Sequence, residues 1–511
     1  MYIFLKNSGT SRGNRLVNRY RLLAALSLSV LMALSPMFVG AISNDQAATL
    51  VLGQTNLNSN RYGTNSTDFD IGATAIAFDH SGNAWVTDWY NNRVLEFTYP
   101  FSTGEAASIV LGQASFTTGG SASPPTASSM YRPIALIFDS AGDLWVADSL
   151  NNRILEFVPG TLPCSAGQFC TGMPASLVLG QSTFTSNSYG TTSTTMYYPY
   201  GLTFDSSGNL WVAEFDNNRV TEFTHPFSTG EAASLVLGQS TFTASGFTPS
   251  ATGIDEPVGI AFDHSGNLWV SQLAAYRVTE FVPGTSPCTS GQFCNDMPAS
   301  HVIGQGSFTS VTSATNSTNF NAPAGLAFDS SGNLWVSDDY NNRVLEFVQG
   351  SGFTNHEAAS VVLGQSGFTS AGNGHTSTSM YEPWGITFDS SGNLWVGDYE
   401  NNRVLEFQGS SSTTTTSSTT SSSTTSVSSS TTPALVCPGT AGGALMPAGA
   451  TFTDSSGHSW LAPSGNDGGG KWSSYFFSGS KGTIPAPMMQ GWGGDYGTYG
   501  GQQGWVVTFY C

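Results

Sequence analysis

Positive charge is what this sequence has least of. Only 15 of 511 residues are Lys or Arg, against 34 Asp or Glu, and charged residues make up 10% of the chain. Five of the basic groups, Lys6, Arg12, Arg15, Arg19 and Arg21, fall in the first 41 positions, which hold no acid. Beyond them stand 10 basic and 34 acidic residues, a balance of −24. Phosphate backbones are held by clustered Lys and Arg. Nucleic acid is therefore excluded as an expected partner, and an anionic membrane surface is disfavoured on the same ground. Histidine is scarce too, with seven copies dispersed along the chain. No GxSxG, CxxC, HExxH or P-loop pattern occurs.

Long apolar runs are limited to one. Leu22 to Leu34 is apolar apart from Ser27 and Ser29, follows the basic stretch, and precedes the small residues Val39-Gly40-Ala41. That order reads as an export signal over residues 1–41. Uncleaved, Leu22 to Ile42 is long enough to anchor the chain, and only then is a membrane partner expected. The expected location is secreted or cell-surface. The six cysteines suit an oxidising compartment. Cys164 and Cys170, like Cys288 and Cys294, sit in matching C-x5-C loops and are expected to form local disulfides. Cys437 and Cys511 bracket the last segment and are expected to pair.

What the chain has in abundance is repetition. Six copies of a phrase such as FDSSGNLWVSDDYNNRVLEF begin at Asp79, Asp139, Asp205, Asp263, Asp329 and Asp389 after their Phe. The spacings are 60, 66, 58, 66 and 60 residues, the mark of a repeat architecture. In the fifth copy, Gly325 to Phe328 is a short apolar run and Asp329 to Asn333 a turn. Leu334 to Ser337 alternates as a strand, Asp338 to Asn342 is a second turn, and Arg343 to Phe347 a third strand. A fourth strand is predicted at the phrase VLGQ, whose glycines are Gly53, Gly112, Gly180, Gly238, Gly304 and Gly364. The first VLGQ precedes the first three-strand unit, and the last unit has none after it. A ring resolves the offset: the strand near Leu50 to Gln54 completes the sixth sheet and closes the circle. Trp85, Trp145, Trp211, Trp269, Trp335 and Trp395, with the Phe of each FD and EF, are assigned to the packing between sheets.

These phrases resemble the NHL repeat. Six of them imply an all-β, six-bladed β-propeller over residues 48–408. The fourth copy departs from the pattern, with Gln272-Leu273-Ala274-Ala275-Tyr276 in place of Asp-x-x-Asn-Asn. In a propeller, the turns from strand two to three share a face with the links from strand four to the next strand one. The ligand-binding candidates on that face are Trp89, Tyr90, Tyr131, Arg132, Tyr198, Tyr200, Phe215, Glu256, Tyr276, Tyr340, Tyr381, Glu382, Trp384 and Tyr399. Tyr197, Asp216, Asp255, Asp339 and Glu400 lie in the same segments. Aromatics beside carboxylates suit a carbohydrate or protein ligand. The expected role is therefore binding or adhesion.

No catalytic set is evident and no cofactor is expected, with a calcium ion in the channel as the open alternative. That alternative would draw on Asp88, Asp148, Glu214, Asp338 and Asp398. Each of these acids also stands five residues before an arginine, so pairing across the turn competes for it. The resemblance also extends to metal-dependent propeller enzymes of lyase or lactonase type, which remain the competing functional class. Residues 410–432 are a Ser/Thr-rich linker broken only by Val427. Residues 433–511 are expected to form a small Gly- and aromatic-rich β module ending in the strand WVVTFYC.

Overall fold

The computed structural model describes residues 42–70 and 72–409 in full, with the backbone of five further strands between 451 and 510. The expected leader at 1–41, the expected linker at 410–432 and the expected Cys437–Cys511 pairing lie outside the described residues. Two units are separate: Met1–Thr414 and Thr415–Cys511. The second holds a five-stranded antiparallel sheet, in the order Thr451–Thr453, Ser459–Leu461, Trp472–Ser478, Gln502–Tyr510, Gly494–Tyr499. Its long strand Gln502–Tyr510 covers Trp505–Tyr510 of the predicted terminal strand.

The first unit is a six-bladed β-propeller, each blade a four-stranded antiparallel sheet. Blade five shows the plan: Pro323–Phe328, Leu334–Asp338, Arg343–Phe347 and Val361–Leu363. Strand one starts two residues earlier than its apolar run predicts. Strand four spans only the three residues before the Gly-Gln of VLGQ. The glutamine leaves the sheet because its amide is used elsewhere. Gln365 Nε2 donates to the carbonyls of Asn342 (2.9 Å) and Gly372 (2.7 Å), tying strand four to the neighbouring turn.

The aspartate of each FD turn caps the local structure. Asp329 Oδ1 accepts from the N–H of Ser331 and Asn333, while Oδ2 accepts from the Trp335 indole at 3.4 Å. This fixes the Trp, which then packs on the FD phenylalanine of the next blade. Ring centroids lie 5.9 Å apart for Trp85–Phe138, 5.9 Å for Trp145–Phe204 and 5.6 Å for Trp395–Phe78. The last of these joins blade six to blade one, so the joint repeats around a closed ring. All six tryptophans are fully buried. The disulfides form as expected at Cys164–Cys170 and Cys288–Cys294. Their loops deliver Phe169 and Phe293 onto Trp85 and Trp211. Phe101, Phe227 and Phe353 do the same work from loops without cysteine.

Closure runs as the order of phrases implies. Leu50–Leu52 pairs antiparallel with Arg403–Phe407, in the register Val51↔Leu405. The segment just before it also belongs to the sixth blade. Asp45 N–H donates to Val362 O, as His356 N–H does to Val302 O within the ring. Residues 42–49 thus stand where the other blades have their strand three–four link.

Blade two carries one exchange in this framework. Asn83, Asn209, Asn267 and Asn333 each donate Nδ2 to both the FD aspartate and the EF glutamate of their blade. In blade two Asp143 holds that position and has no proton to give. Asp139, Asp143 and Glu156 therefore bring three carboxylates within 4.8 Å. Burial, then Asp143 and Asp139, push the Glu156 carboxyl up to about 7. A carboxyl raised in the folded state loses stability as pH rises through that value.

Two outcomes follow from these contacts. Arg153→Ala strands the buried Asp148 and should lower the unfolding free energy by roughly 3–5 kcal/mol, read from the guanidinium midpoint. Asp143→Asn should raise the melting temperature, with the gain largest above pH 7 and small in mild acid, read by calorimetry across pH.

Candidate functional site

The mouth of the ring is built on a buried ion pair at the strand two–three turn of five blades. Arg93, Arg153, Arg343 and Arg403 hold Asp88, Asp148, Asp338 and Asp398 at 2.6–2.7 Å, and Arg219 holds Glu214 at 2.8 Å, all at 0–1% side-chain exposure. The pairing expected across the turn is thus what these acids do, and it occupies them away from the channel. The rest of each guanidinium binds the links on either side. Arg153 Nη2 donates to the carbonyls of Thr126 and Ser129, and Nη1 to that of Phe184. Blade four substitutes Gln272, whose Oε1 takes Arg277 Nε at 3.0 Å. Its arginine is left without an acid across the turn, and burial lowers it to about 10, with Asp255 pulling the other way.

The asparagine before each arginine adjusts the next link. Asn92, Asn152, Asn218 and Asn342 accept through Oδ1 from the N–H of Arg132, Tyr198, Glu256 and Glu382, at 2.8–3.1 Å. Those four recipients have left-handed backbones, with φ of 59°, 48°, 43° and 51°. Side chains rarely accept that region. The bonds hold them there, next to the mouth. In blade four Tyr276 replaces the asparagine. Among the described residues no such bond reaches the following link residue, Ala322, which keeps the left-handed backbone (φ 64°) without it.

The channel itself is narrow. It has a volume of about 110 Å³, walled by residues such as Ala75, Ile76, Leu136, Gly201, Gly259 and Gly385. A Cβ at Gly259 or Gly385 would meet the backbone carbonyl of the next blade's first strand, Ala324 O or Thr74 O. Strand ones therefore approach too closely for a wide pore. The described channel wall carries no carboxylate or imidazole. Tyr200 of blade three and Trp384 of blade six reach across it from opposite sides, with ring centroids 6.3 Å apart.

Seven of the predicted residues form one chain of contacts over this opening. Phe215 lies 4.6 Å from Tyr200, Trp384 6.1 Å from Tyr399, and Tyr399 5.9 Å from Trp89. Arg132 completes it, its guanidinium carbon 4.1 Å from the Trp89 ring centre and 3.5 Å from that of Tyr90. Burial sorts these residues. Trp89, Tyr200 and Trp384 are half-buried against the core, whereas Tyr90 is 44% and Tyr340 55% exposed. Tyr198 is not in the chain; it packs on Tyr197, which stacks on the exposed Tyr189 at the rim. Tyr131 and Tyr381 serve the scaffold through their N–H groups, which donate to Asp148 and Asp398.

The remaining candidates are acidic and lie among the aromatic residues, Glu256 and Asp216 near Tyr200 and Glu382 and Glu400 near Tyr399. Burial, then Asp255 and Asp216, raise the Glu256 carboxyl, and burial, then Glu400, raise that of Glu382. Beside Glu382 and Glu400 stands Asp339, which the sequence places on this face next to the candidate Tyr340. Asp339 is 1% exposed, and its Oδ1 is fully buried with no hydrogen-bond partner. Burial, then Glu382, Asp338 and Glu400, hold its carboxyl well above the usual range. Aligned turns could have found it. The same position holds Trp89, Ser149, Phe215, Leu273 and Tyr399 in the other blades, none of them charged. His80 and His264 lie on the opposite face, the latter lining a cleft of about 670 Å³ with Asp205 and Gln292.

The family model of the NHL repeat matches residues 320–347 and 380–407, the fifth and sixth copies. With six such copies folded as six blades, the chain is an NHL-repeat β-propeller. Similar solved structures include virginiamycin B lyase from Staphylococcus aureus, at 15% identity and TM-score 0.36 over 67% of this chain and 96% of that one. An auxiliary nutrient binding protein from Bacteroides thetaiotaomicron matches at 13% identity and TM-score 0.42, over 68% and 75%. A gluconolactonase from Xanthomonas campestris matches at 14% and 0.39, over 70% and 98%. These likenesses are too remote to assign an activity. No curated protein matches the sequence.

Asp339 should cost the fold stability when charged. Because its carboxyl is raised in the folded state, that cost grows as pH rises. Asp339→Asn should therefore raise the melting temperature near neutral pH and flatten its decline in alkali, measured by calorimetry across pH.

Proposed function

We propose that this chain is an exported binding or adhesion protein that takes a protein or glycan ligand at the mouth of the propeller. The observation that carries the reading is the contrast between scaffold and mouth. The repeated acids and bases satisfy one another at full burial. At the mouth an aromatic chain borders the unpaired, buried Asp339, an arrangement that costs the fold and that folding alone does not explain. Tyr90 and Tyr340 present open rings at the rim, the kind of group that anchors ligands. Export would follow from the leader-like residues 1–41, and the two disulfides are consistent with it.

The test uses purified chain on a glycan array and on immobilised extracellular proteins of defined sequence. Saturable binding is expected, weakened roughly tenfold or more by Tyr90→Ala combined with Tyr340→Ala. Both rings are exposed, so the variant keeps its fold. Absence of binding, or binding untouched by the double variant, would end this reading. A stoichiometric divalent ion coupled to turnover would replace it with a lyase or lactonase.

A further inference from the structure

The mouth is short of positive charge. Asp216, Asp255, Glu256, Asp339, Glu382 and Glu400 stand around it. The six repeat arginines are consumed inside the blades. Arg61 reaches only Asp68, at 3.9 Å. Arg132 is already stacked on Trp89 and Tyr90. The fully buried acids of the other strand two–three turns, Asp88, Asp148, Glu214 and Asp398, each have a guanidinium. Asp338, one residue away, has Arg343 at 2.7 Å. Asp339 Oδ1 has nothing.

The surroundings of Asp339 indicate what is missing. Blade five offers small residues at the positions where other blades place large ones: Ala322 where Tyr198 and Arg132 stand, and Ala324 where Tyr200 and Trp384 stand. Tyr340 and Tyr399 lie close to Asp339: burial and then the Asp339 charge raise the Tyr340 phenol, while burial, then Glu400 and Glu382, and more weakly Asp339, raise that of Tyr399. A bare metal ion fits poorly. Metal ligation needs oxygens converging within a few ångströms. Among the described residues only Asp139, Asp143 and Glu156 converge within 4.8 Å, and those lie on the opposite face. A larger cation that carries its own N–H donors, and tolerates an aromatic face, matches better. Blade one shows the chemistry in place, with the Arg132 guanidinium against the two aromatic residues of its turn.

We propose that the mouth beside blades five and six binds an organic cation, an ammonium or guanidinium group carried by the ligand, which pairs with Asp339 and lies against the Tyr340 and Tyr399 rings. This rests on the binding role proposed above and names the chemistry of the ligand. Two sources share that chemistry: a lysine or arginine side chain, and the free amine of an amino sugar.

Calorimetric titration of the full chain separates them. The probes are Nα-acetyl-lysine amide, Nα-acetyl-arginine amide, a glucosamine oligomer, its fully N-acetylated form, and calcium chloride. Binding of either amino-acid amide, or of the glucosamine oligomer, with none of the acetylated form, is the expected result and identifies the source. Asp339→Asn should weaken that binding at least about tenfold, the worth of one hydrogen bond to a charged group, in a protein whose melting temperature is not lowered. Asp143→Asn, on the opposite face, should leave it unchanged. The proposal is overturned if the acetylated oligomer binds equally, if calcium binds and displaces the amines, if no probe binds, or if Asp339→Asn has no effect. Glycan or protein binding that Tyr340→Ala abolishes and Asp339→Asn spares would overturn the cation alone and leave the binding role standing.

Discussion

The propeller depends on one arginine per blade. Each guanidinium is fully buried, and each reaches in several directions at once. Arg403 holds Asp398 across its own turn, the carbonyls of Thr376 and Ser379 in the link before it, and the carbonyl of Leu57 beyond the closing strand. A planar fork of donors can do this; an ammonium cannot. The cost of desolvating the pair is large. The bonds to backbone carbonyls offset it and satisfy loop groups that would otherwise be buried without partners. Every mouth residue is carried on a turn or link that one of these arginines organises.

The binding face differs from the scaffold in kind. The repeated scaffold contacts pair unlike groups: aspartate with arginine, indole N–H with carboxylate, glutamine with backbone carbonyls. The mouth is mismatched. Five non-glycine link residues, Arg132, Tyr198, Glu256, Ala322 and Glu382, sit in left-handed backbone, and Asp339 sits buried beside Glu382, Asp338 and Glu400 with no hydrogen-bond partner at Oδ1. Such departures concentrate where a protein has to do something besides fold. The narrow, apolar channel directs attention to this rim, since the pore beneath has room for little beyond water.

Much of this was legible in the sequence because the repeats supply their own alignment. Strand two, strand three, the interblade tryptophans, the two local disulfides and the closing strand follow from periodicity and from the order of the VLGQ phrases. The limits of strand four did not, because Gln365 and its equivalents are drawn out of the sheet by contacts with a neighbouring turn. The site was legible as a face but not as a site. Fourteen residues were nominated by position, and only contacts between blades could divide them. Tyr131 and Tyr381 turn out to serve through their backbones. Tyr200 and Trp384 meet across the channel although they belong to opposite blades. Asp339 is legible only as one acid of that face, because a carboxylate beside a paired aspartate reads as ordinary turn polarity until its burial is known.

The sequence alone therefore determined the number of blades, the way the ring closes and the face on which variation collects. Those are consequences of a local pattern repeated in register, and each copy carries the same hydrogen-bond code. The tertiary structure decided which groups at the mouth have partners. Pairing there is set by residues some forty or more positions apart, brought together by ring closure. Burial, which makes one aspartate inert and its neighbour costly, exists only once the blades are packed.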